Sequence, residues 1–515
     1  MTTVPGLPGL VTGADVAADL RVDCDVVVVG SGAGGATMAA ELAAAGVSVV
    51  LLEEGGYHQT ASFGTQSVRA LRTLYRDGGG GMAIGKPSVL FAEGRCVGGS
   101  TVVNGGMSWR TPPQVLARWA TADGIHEIGE DAMAPFFDEV EGWLSVAEQD
   151  PETIGRDSEL LYAGARSLGW RIVANRRNQL HCAGTNNCNN GCPTGAKRSM
   201  LLTAVPRALA HGARLYADCR AERVMHDGRG RATGITGRFR GPDGRRGPAM
   251  TVRAKVVVAA GGAVQTPALL ARSGFKPAGR QLGRNLAMHP NANVIAFFDE
   301  DVTGWHGVHQ AYQVREFESD GIILTANNLA PPMLAALMPG HGRALGELMA
   351  SYNHVVTAGP LIEDSGAGRV RTLPGLGAQV FYQLSDRDAA RLVRGVELTA
   401  AAMFAAGARR VLLPVDGAPA LHSLDEVRRL LAGPVPARAL RLFSIHLMGT
   451  ARMSEDVRRG VVDSYGEFHG ARGLFVCDAS LFPGPTGLNP MLTIIALAVR
   501  NARYLLERRR DYSRR

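Results

Sequence analysis

The feature that most constrains the fold is a run of glycines between an apolar segment and a helical pattern near the N-terminus. The β-branched segment Asp25–Val29 predicts a buried parallel strand, and it leads directly into Gly30-Ser31-Gly32-Ala33-Gly34-Gly35. An alanine-rich helical pattern follows, and a second apolar segment, Ser48–Leu52, ends in Glu53. Strand, glycine turn, helix, strand and acid in this order form the βαβ unit that binds dinucleotides. The sequence therefore predicts an α/β fold with a Rossmann-like domain.

The residues of this unit have distinct expected roles. Gly30 makes the tight turn, Gly32 lets a pyrophosphate approach the backbone, and Gly35 lets the helix pack closely against the strand. The phosphates are expected at the helix N-terminus, beside Ala33, where free N–H groups and the helix dipole attract anions. Glu53 lies where a carboxylate accepts both ribose hydroxyls. The motif alone does not distinguish FAD from NAD.

The charge of the chain gives no reason to expect nucleic acid as a partner. The formal net charge is +8, and Arg500–Arg515 holds seven arginines against two acids, a local +5 that leaves about +3 elsewhere. No apolar run approaches the roughly 20 residues needed to span a bilayer. The N-terminus lacks the basic and apolar regions of a secretory signal. We therefore expect a cytoplasmic protein without a transmembrane anchor.

Three of the seven cysteines are clustered and raise the question of a metal site. Cys182, Cys188 and Cys192 have the spacing C-x5-C-x3-C. This spacing fits neither the common ferredoxin patterns nor the CxxC pairs of structural zinc sites. We expect no metal and reduced structural thiols, with the three cysteines as the candidates if an iron–sulfur cluster is present.

Two C-terminal segments place a polar side chain beside a glycine turn. His446 lies between an apolar run and such a turn, and Asn489 precedes the helical pattern Met491–Leu506. Asn489 is expected to cap this helix, with Pro490 at its first position. The positive end of the helix would stabilise a bound anion such as a reduced flavin. Taken alone, His446 fits a buried core histidine and Asn489 an ordinary helix cap.

Six segments in order resemble the motifs of the glucose–methanol–choline (GMC) oxidoreductase family. They are Gly30–Gly35 with Glu53; Gly94–Ser100 with Asn104-Gly105; Ala260–Leu270; Leu282–Leu286 with His289-Pro290; His446-x-x-Gly449-Thr450-x-Arg452-Met453; and Val476–Ser480 with Asn489-Pro490. The resemblance runs nearly end to end and implies FAD rather than NAD as the cofactor. Some members tether FAD through a histidine where this chain has Val103, so we expect non-covalent FAD.

The resemblance also implies the architecture. A Rossmann-like FAD-binding domain is expected to be interleaved with a substrate domain built on an antiparallel sheet covered by helices, α/β in class and α+β overall. Residues 20–289 would supply the first FAD-binding segments, including an inserted cap and cysteine loop at about 111–200. Residues 290–444 would form the substrate domain, and residues 445–515 the last FAD-binding segment.

The site residues follow from the same resemblance. His446 and Asn489 match the catalytic pair of the members with a His/Asn active site, similar to cholesterol oxidase, whereas the cysteine segment is more similar to long-chain alcohol oxidases and bacterial GMC dehydrogenases. The residues implied to contact FAD are Gly30, Gly32, Ala33, Gly35, Glu53, Arg95, Gly99, Ser100, Asn104, Gly105, Val224, Gly261, Asp478, Ala479, Pro490 and Met491.

The expected function is oxidation of the CH–OH group of an alcohol by an FAD-dependent enzyme. His446 would take the hydroxyl proton, or at least hold the alkoxide, while a hydride passes to flavin N5. Apolar stretches such as Leu329–Leu337 favour an apolar, aromatic or sterol-like alcohol, and the electron acceptor is dioxygen or another molecule. Two alternatives stay open: a non-redox lyase similar to hydroxynitrile lyases, and an iron–sulfur sugar or alcohol dehydrogenase that passes electrons to a partner protein. Dehydrogenases of the latter kind have a cysteine where this chain has Ala183.

Overall fold

A computed structural model of the chain describes residues 7–241, 244–308, 310–338, 341–365 and 368–513. The strands are β1 Leu10–Val11, β2 Leu20–Val29, β3 Val49–Leu52, β4 Gly81–Ile84, β5 Val89–Phe91, β6 Val146–Glu148, β7 Ile172–Ala174, β8 Arg176–Asn178, β9 Arg214–Tyr216, β10 Cys219–His226, β11 Ala232–Arg240, β12 Arg246–Ala259, β13 Val294–Phe297, β14 Tyr312–Val314, β15 Ile322–Ala326, β16 Val355–Ile362, β17 Arg369–Leu373, β18 Gly377–Phe381, β19 Arg410–Leu412, β20 Leu442–Ser444 and β21 Leu474–Val476. The α-helices are α1 Ala33–Ala44, α2 Ser67–Leu74, α3 Pro113–Asp123, α4 Glu130–Trp143, α5 Arg156–Ser167, α6 Ala204–Ala210, α7 Gly262–Arg272, α8 Pro331–Leu337, α9 Gly342–Ala350, α10 Asp386–Ala405, α11 Leu424–Ala432, α12 Met491–Glu507 and α13 Arg509–Ser513.

The largest sheet carries the predicted βαβ unit at its centre. Its strand order is β1-β9-β3-β2-β12-β11-β10, and β21 pairs with the C-terminal half of β12. The pairs β1–β9, β9–β3, β3–β2, β2–β12 and β12–β21 are parallel. The pairs β10–β11 and β11–β12 are antiparallel. Strand β12 therefore joins the dinucleotide unit to the end of the chain, and the Rossmann-like prediction is confirmed.

Helix α1 packs against this sheet and is nearly surrounded by protein. Small residues occupy most of its positions, so helices α6 and α12 can approach it closely. Around it, Val26–Val28 of β2, Val256–Val258 of β12 and Ile495–Val499 of α12 are at most 4% exposed. Burying each large aliphatic side chain contributes about 1.5–3 kcal/mol to folding, so this layer is the main core of the FAD-binding part.

The second core lies on an antiparallel sheet, as predicted for the substrate domain. Its strand order is β19-β13-β16-β15-β14-β7, and every pair is antiparallel. Helices α5 and α10 cover it, and α10 begins at an N-cap, Ser385, whose hydroxyl accepts from the amide of Asp388. Helix α5 and strand β7 come from the segment predicted as an insert at 111–200, so part of that segment packs with this antiparallel sheet.

A five-stranded sheet packs against the second core. Its order is β17-β18-β4-β5-β20, and one face packs inward through Ala83, Val89, Val380 and Leu442. Strand β20 ends two residues before His446. This sheet therefore positions the histidine predicted to be catalytic.

The basic C-terminal segment is only partly at the surface. Arg500 is buried inside α12, where its guanidinium donates to the carbonyls of His126, Glu127 and Ser464 and lies over the ring of Tyr465. Its charge therefore stabilises internal structure, while Arg514 and Arg515 lie outside the described residues. Within the described ranges, no helix is both long and apolar enough to cross a membrane.

Candidate active site

Three glycines of the predicted dinucleotide turn are packed against backbone. Gly30 has φ 99°, and a Cβ atom there would lie 2.2 Å from the carbonyl oxygen of Ala260. A Cβ at Gly35 would lie 2.0 Å from the oxygen of Gly30, and one at Gly34 would lie 1.8 Å from the oxygen of Cys477. Only glycine fits these positions, because strand, helix and C-terminal segment meet there in direct contact.

Gly32 differs from the other glycines of the turn because it faces open space. A Cβ atom at Gly32 would meet nothing within 4 Å. Gly32 is the N-cap of α1 and has no side chain to accept from the first amides of the helix. Gly99 lies alongside, since a Cβ there would be 2.8 Å from the Cα of Gly32. The arrangement fits a pyrophosphate bound at the N-terminus of α1, next to Ala33.

Glu53 ties the glycine turn to the end of β3. Its Oε2 accepts from the amide (2.9 Å) and the hydroxyl (2.7 Å) of Ser31, and Oε1 accepts from the amide of Gly55 (2.8 Å). Burial raises the pKa of this carboxyl above its usual range. Arg95 lies beside it, because its backbone is in close contact with Gly55. The contact of Glu53 with ribose hydroxyls stays a prediction.

The C-terminal segment closes the other side of this site through Asp478. Its carboxylate accepts from the amide of Gly262 (2.8 Å), the hydroxyl of Thr266 (2.5 Å) and the amide of Ser480 (2.7 Å). Burial raises its pKa above the usual range. The oxygen of Ala479 accepts from the amide of Gly449 (3.0 Å), in the turn that follows His446. Asp478 and Ala479 therefore join the start of α7 to the histidine segment.

Three further residues predicted to contact FAD already have hydrogen-bond partners in the protein. The amide of Val224 donates to the hydroxyl of Ser273 (2.8 Å), so it is engaged within the protein. The hydroxyl of Ser100 accepts from the amide of Gly94 (2.9 Å). The amide of Gly261, which precedes α7, donates to Thr266 (2.9 Å). The prediction that Val224 contacts FAD therefore rests on its carbonyl and side chain.

The loop after the second glycine motif meets the first residue of α12. The side-chain Nδ2 of Asn104 lies 3.0 Å from the sulfur of Met491, and its Oδ1 accepts from the backbone amide of Gly106 (3.2 Å). Gly105 is buried between them. Two segments separated by 387 residues thus form one wall, as the predicted set of FAD contacts requires.

His446 belongs to a chain of hydrogen-bonding groups that includes a second histidine. Nδ1 of His446 lies 3.4 Å from Nδ1 of His289, and Nε2 of His289 accepts from the amide of Gly487 (3.1 Å). Nε2 of His446 lies 3.3 Å from Nδ2 of Asn489. The rings of the two histidines are perpendicular, with centroids 5.5 Å apart. The structure thus brings together the predicted pair, His446 and Asn489, and adds His289.

Both histidines are held in the neutral form. Burial lowers the pKa of His446 to about 4. Burial lowers the pKa of His289 well below its usual range, and the positive charge of a protonated His446 would lower it further. Because Gly487 donates to Nε2 of His289, the proton of His289 is on Nδ1 and points to Nδ1 of His446. Neutral His446 then carries its own proton on Nε2, the atom beside Asn489.

A buried carboxyl group supports His289. Asp364 accepts from the amides of Met288 (3.0 Å) and His289 (3.2 Å) and from the hydroxyl of Tyr382 (2.7 Å). These bonds hold His289 in the left-handed region, at φ 44°, which is uncommon for a residue other than glycine. Burial raises the pKa of Asp364 to about 6. The position of the histidine pair therefore depends on Asp364.

The prediction that Asn489 caps α12 is wrong. The helix begins at Met491, its N-cap is Pro490, and no side chain caps it. The Asn489 side chain points to His446 instead, and its Oδ1 has no hydrogen-bond partner among the described residues. Rotating the amide by 180° pairs Oδ1 with the Nε2–H of His446, which removes both the orphaned acceptor and the contact of two donors.

A buried lysine connects the clustered cysteines to the loop that contains Asn104. Nζ of Lys197 donates to the carbonyls of Val102, Asn104 and Cys188, each at 2.7 Å. Burial lowers the pKa of Lys197 to about 8. The lysine therefore fixes the Asn104 loop to the cysteine segment.

The cysteines themselves form no metal site in the described part of the chain. Cys182, Cys188 and Cys192 line one small cavity, and their thiols are free. Among the described residues, no group of three His, Cys, Asp or Glu side chains is arranged to hold a metal ion.

Comparison with known proteins identifies the family. Residues 71–291 and 374–498 match the N- and C-terminal parts of the family described as GMC oxidoreductase, and residues 25–78 match an FAD binding domain. A GMC-type oxidoreductase of Sinorhizobium fredii is 34% identical and covers 95% of this chain and 96% of its own length. The chain belongs to the GMC oxidoreductase family. It is therefore an FAD-dependent oxidoreductase, and the choice of FAD over NAD is confirmed.

Other GMC proteins show the range of the similarity. A GMC-type oxidoreductase of Mycobacterium tuberculosis is 40% identical over 92% of this chain and 74% of its own length. A long-chain-alcohol oxidase of Arabidopsis thaliana is 31% identical over 93% of this chain and 66% of its own length. The solved pyridoxine 4-oxidase from Mesorbium loti has a TM-score of 0.71, with 20% identity over 94% of this chain and 99% of its own, and it supports the fold alone.

Three residues of the site are not indicated as such by the sequence. His289 is visible only as part of a motif, and nothing in the sequence pairs it with a histidine 157 residues later. Asp364 and Lys197 have no pattern that marks them as site residues. A buried cation or carboxyl group acquires its role from tertiary contacts, which the local sequence does not indicate.

Proposed function

We propose that this GMC oxidoreductase oxidises the CH–OH group of an apolar alcohol at His446 and Asn489. The observation that carries the proposal is the buried His446–Asn489 pair beside the Asn104 loop and the first residue of α12. When bound, FAD supplies the two-electron acceptor that takes up the hydride of the alcohol carbon. The other requirement is a set of groups that bind the alcohol oxygen and stabilise its negative charge.

The hydrogen-bond chain favours His446 as a donor to that oxygen. With His289 protonated on Nδ1, the neutral His446 carries Nε2–H, which Oδ1 of the rotated Asn489 amide accepts while no alcohol is bound. The alcohol oxygen would replace Oδ1 as the acceptor of this Nε2–H and would also accept from the Nδ2–H of Asn489. Two donors on one oxygen favour its ionisation, as in an oxyanion hole, and the hydroxyl proton is released to water. Of the two roles expected for His446, holding the alkoxide therefore has more support than proton uptake, which needs an unprotonated Nε2.

The apolar character of the alcohol rests on relatives more than on the segment that first suggested it. Leu329, Leu334 and Met338 pack with Ile295 and Phe297 in a small core of their own. Leu329 and Leu334 of that stretch are thus used in folding. The 31% identical relative named as a long-chain-alcohol oxidase supports an alcohol with a long aliphatic chain as the substrate.

Anaerobic reduction of the bound flavin tests the proposed reaction. Long-chain primary alcohols, an aromatic alcohol, a sterol and a sugar are mixed separately with oxygen-free holoenzyme, and the flavin absorbance is followed. We expect bleaching by the long-chain alcohols. A cyanohydrin that is cleaved without bleaching would identify a non-redox lyase instead, and bleaching by the sugar alone would refute the apolar substrate.

Variants of His446 separate its two roles. His446→Ala removes one donor to the oxygen and should lower turnover by about 10²–10³-fold. His446→Gln keeps an N–H near the same place and should retain at least about tenfold more activity than the alanine variant. If His446 is instead the proton acceptor, both variants should be equally impaired. His354→Gln, on an exposed histidine, is the matched control, and the FAD content of each variant is measured.

A further inference from the structure

The outer face of the five-stranded sheet is unusually apolar. Met82 and Ile84 on β4, Leu90 on β5 and Ile445 after β20 are 53%, 47%, 41% and 46% exposed. The intervening residues Ala83 and Val89 are fully buried, as the alternation of a strand requires. The sheet thus has a packed inner face and an outer face that presents large aliphatic side chains to solvent.

The strand register makes these side chains one surface. Met82 lies opposite Leu90, and Leu90 lies opposite Phe443. Ile84 lies beside Phe381 on β18. We call Met82, Ile84, Leu90, Phe381, Phe443 and Ile445 together the apolar face. Contiguous apolar patches of this kind mark surfaces that contact another molecule or a membrane.

The charges on the strands of this sheet and in the turn between β4 and β5 are all of one sign. The five strands, all within the described residues, contain no Asp or Glu. Arg369 and Arg371 are exposed on β17, Arg369 lies opposite Phe381, and the guanidinium of Arg371 is 5.9 Å from the Phe381 ring centroid. Lys86 is exposed in the turn. We call Lys86, Arg369 and Arg371 the basic rim.

This combination fits an anionic lipid surface better than a second copy of the chain. A symmetric contact between two copies through this face would give the basic rims no acidic partner on the sheet, because its five strands contain no Asp or Glu. A bilayer with anionic headgroups offers opposite charge to the rim and an apolar interior to the aliphatic side chains. We propose that the apolar face and the basic rim dock the protein on the surface of an anionic bilayer.

Docking in this orientation would bring the candidate active site close to the lipid. Ile445 belongs to the apolar face, and the next residue, His446, is buried in the site. Consecutive Cα atoms are about 3.8 Å apart, so the site begins at the edge of the face. This consequence rests on the proposed function, because an apolar alcohol is concentrated in the bilayer beside the site.

Vesicle binding by the holoenzyme tests the docking without any substrate. Flotation is measured with phosphatidylcholine vesicles with and without phosphatidylserine. We expect binding that requires phosphatidylserine and weakens with salt, since the basic rim acts through screened charges. Met82→Ser/Leu90→Thr should lower binding at least about tenfold, and Arg369→Ser/Arg371→Ser should abolish the dependence on phosphatidylserine.

A matched control and a size measurement distinguish docking on lipid from self-association through the same face. Val68→Ser/Leu180→Ser changes residues that are 50% and 46% exposed outside the face and should leave vesicle binding unchanged. Equal binding by all variants, or none by the unmodified protein, would overturn the proposal. So would a Met82→Ser/Leu90→Thr variant that changes only from an oligomer to a monomer in size-exclusion chromatography. Vesicle binding without alcohol oxidation would refute the proposed function and leave the docking intact.

Discussion

Gly32→Ala should weaken FAD binding and leave the stability of the apoprotein nearly unchanged, whereas Gly35→Ala should destabilise the apoprotein itself. Gly32 has φ −73°, which alanine adopts freely, and an added methyl group meets nothing within 4 Å. In Gly32→Ala, reduced chain entropy favours the folded state by about 0.4–1 kcal/mol. The loss of a good N-cap costs about 0.5–1 kcal/mol. The two effects nearly cancel, so the free energy of unfolding of the deflavinated protein should change by less than about 1 kcal/mol.

FAD binding should respond strongly to the same methyl group. It would occupy the space in which the pyrophosphate approaches the backbone, and it would displace one or two charged hydrogen bonds at the start of α1. At about 1.5–3 kcal/mol for each such bond, the loss of one or two bonds costs about 1.5–6 kcal/mol and weakens binding at least about tenfold. Gly35→Ala is the opposite case, because its methyl group would lie 2.0 Å from the oxygen of Gly30 and would force α1 away from the sheet.

Urea unfolding of the deflavinated variants and FAD titration by flavin fluorescence separate the two effects. We expect Gly32→Ala to unfold like the unmodified protein and to bind FAD weakly, and Gly35→Ala to unfold at clearly lower urea concentration. If Gly32→Ala were as unstable as Gly35→Ala, or bound FAD with unchanged affinity, the assignment of Gly32 to the pyrophosphate site would be refuted.

Two further outcomes follow from the site. Acid precipitation of the holoenzyme should release all FAD into the supernatant, because Val103 offers no nucleophile for a covalent link; flavin kept in the pellet would contradict non-covalent binding. Asp364→Asn should remove a pH dependence of stability. The folded-state pKa of Asp364 is raised from 3.8 to about 6, so its stabilising contribution is complete below pH 3.8 and is lost as the pH rises through 6, about 3 kcal/mol in all. Urea unfolding across this range measures the slope, and identical slopes in both proteins would disprove the assignment.

The sequence predicted best the parts of the fold that depend on neighbouring residues. The strand predicted at Asp25–Val29 is the buried end of β2, and the acid expected after Ser48–Leu52 lies at the end of β3. Apolar runs and glycine turns are local signals, so the βαβ unit could be placed to within a few residues. The match of ordered motifs then extended this unit to a family and its cofactor.

The parts that depend on distant residues could not be predicted in the same way. Asn489 has the local pattern of a helix cap, but the nearby imidazole of His446 gives its amide another partner. His289 is oriented by the amide of Gly487 and by Asp364, which lie far from it in sequence. The apolar residues of Leu329–Leu337 predicted an apolar environment. The sequence alone did not show whether the protein core or a substrate provides that environment.

The contact of Gly34 with Cys477 has a consequence for the order of events during synthesis. The glycine turn is made within the first tenth of the chain, but the backbone against which it packs is made 443 residues later. At about 5–20 residues per second, the ribosome needs roughly 20–90 s to supply it. Until then β12 lacks β21 and α1 lacks α12, its main helical neighbour. One side of the helix in the nascent βαβ unit therefore stays uncovered until translation is almost complete.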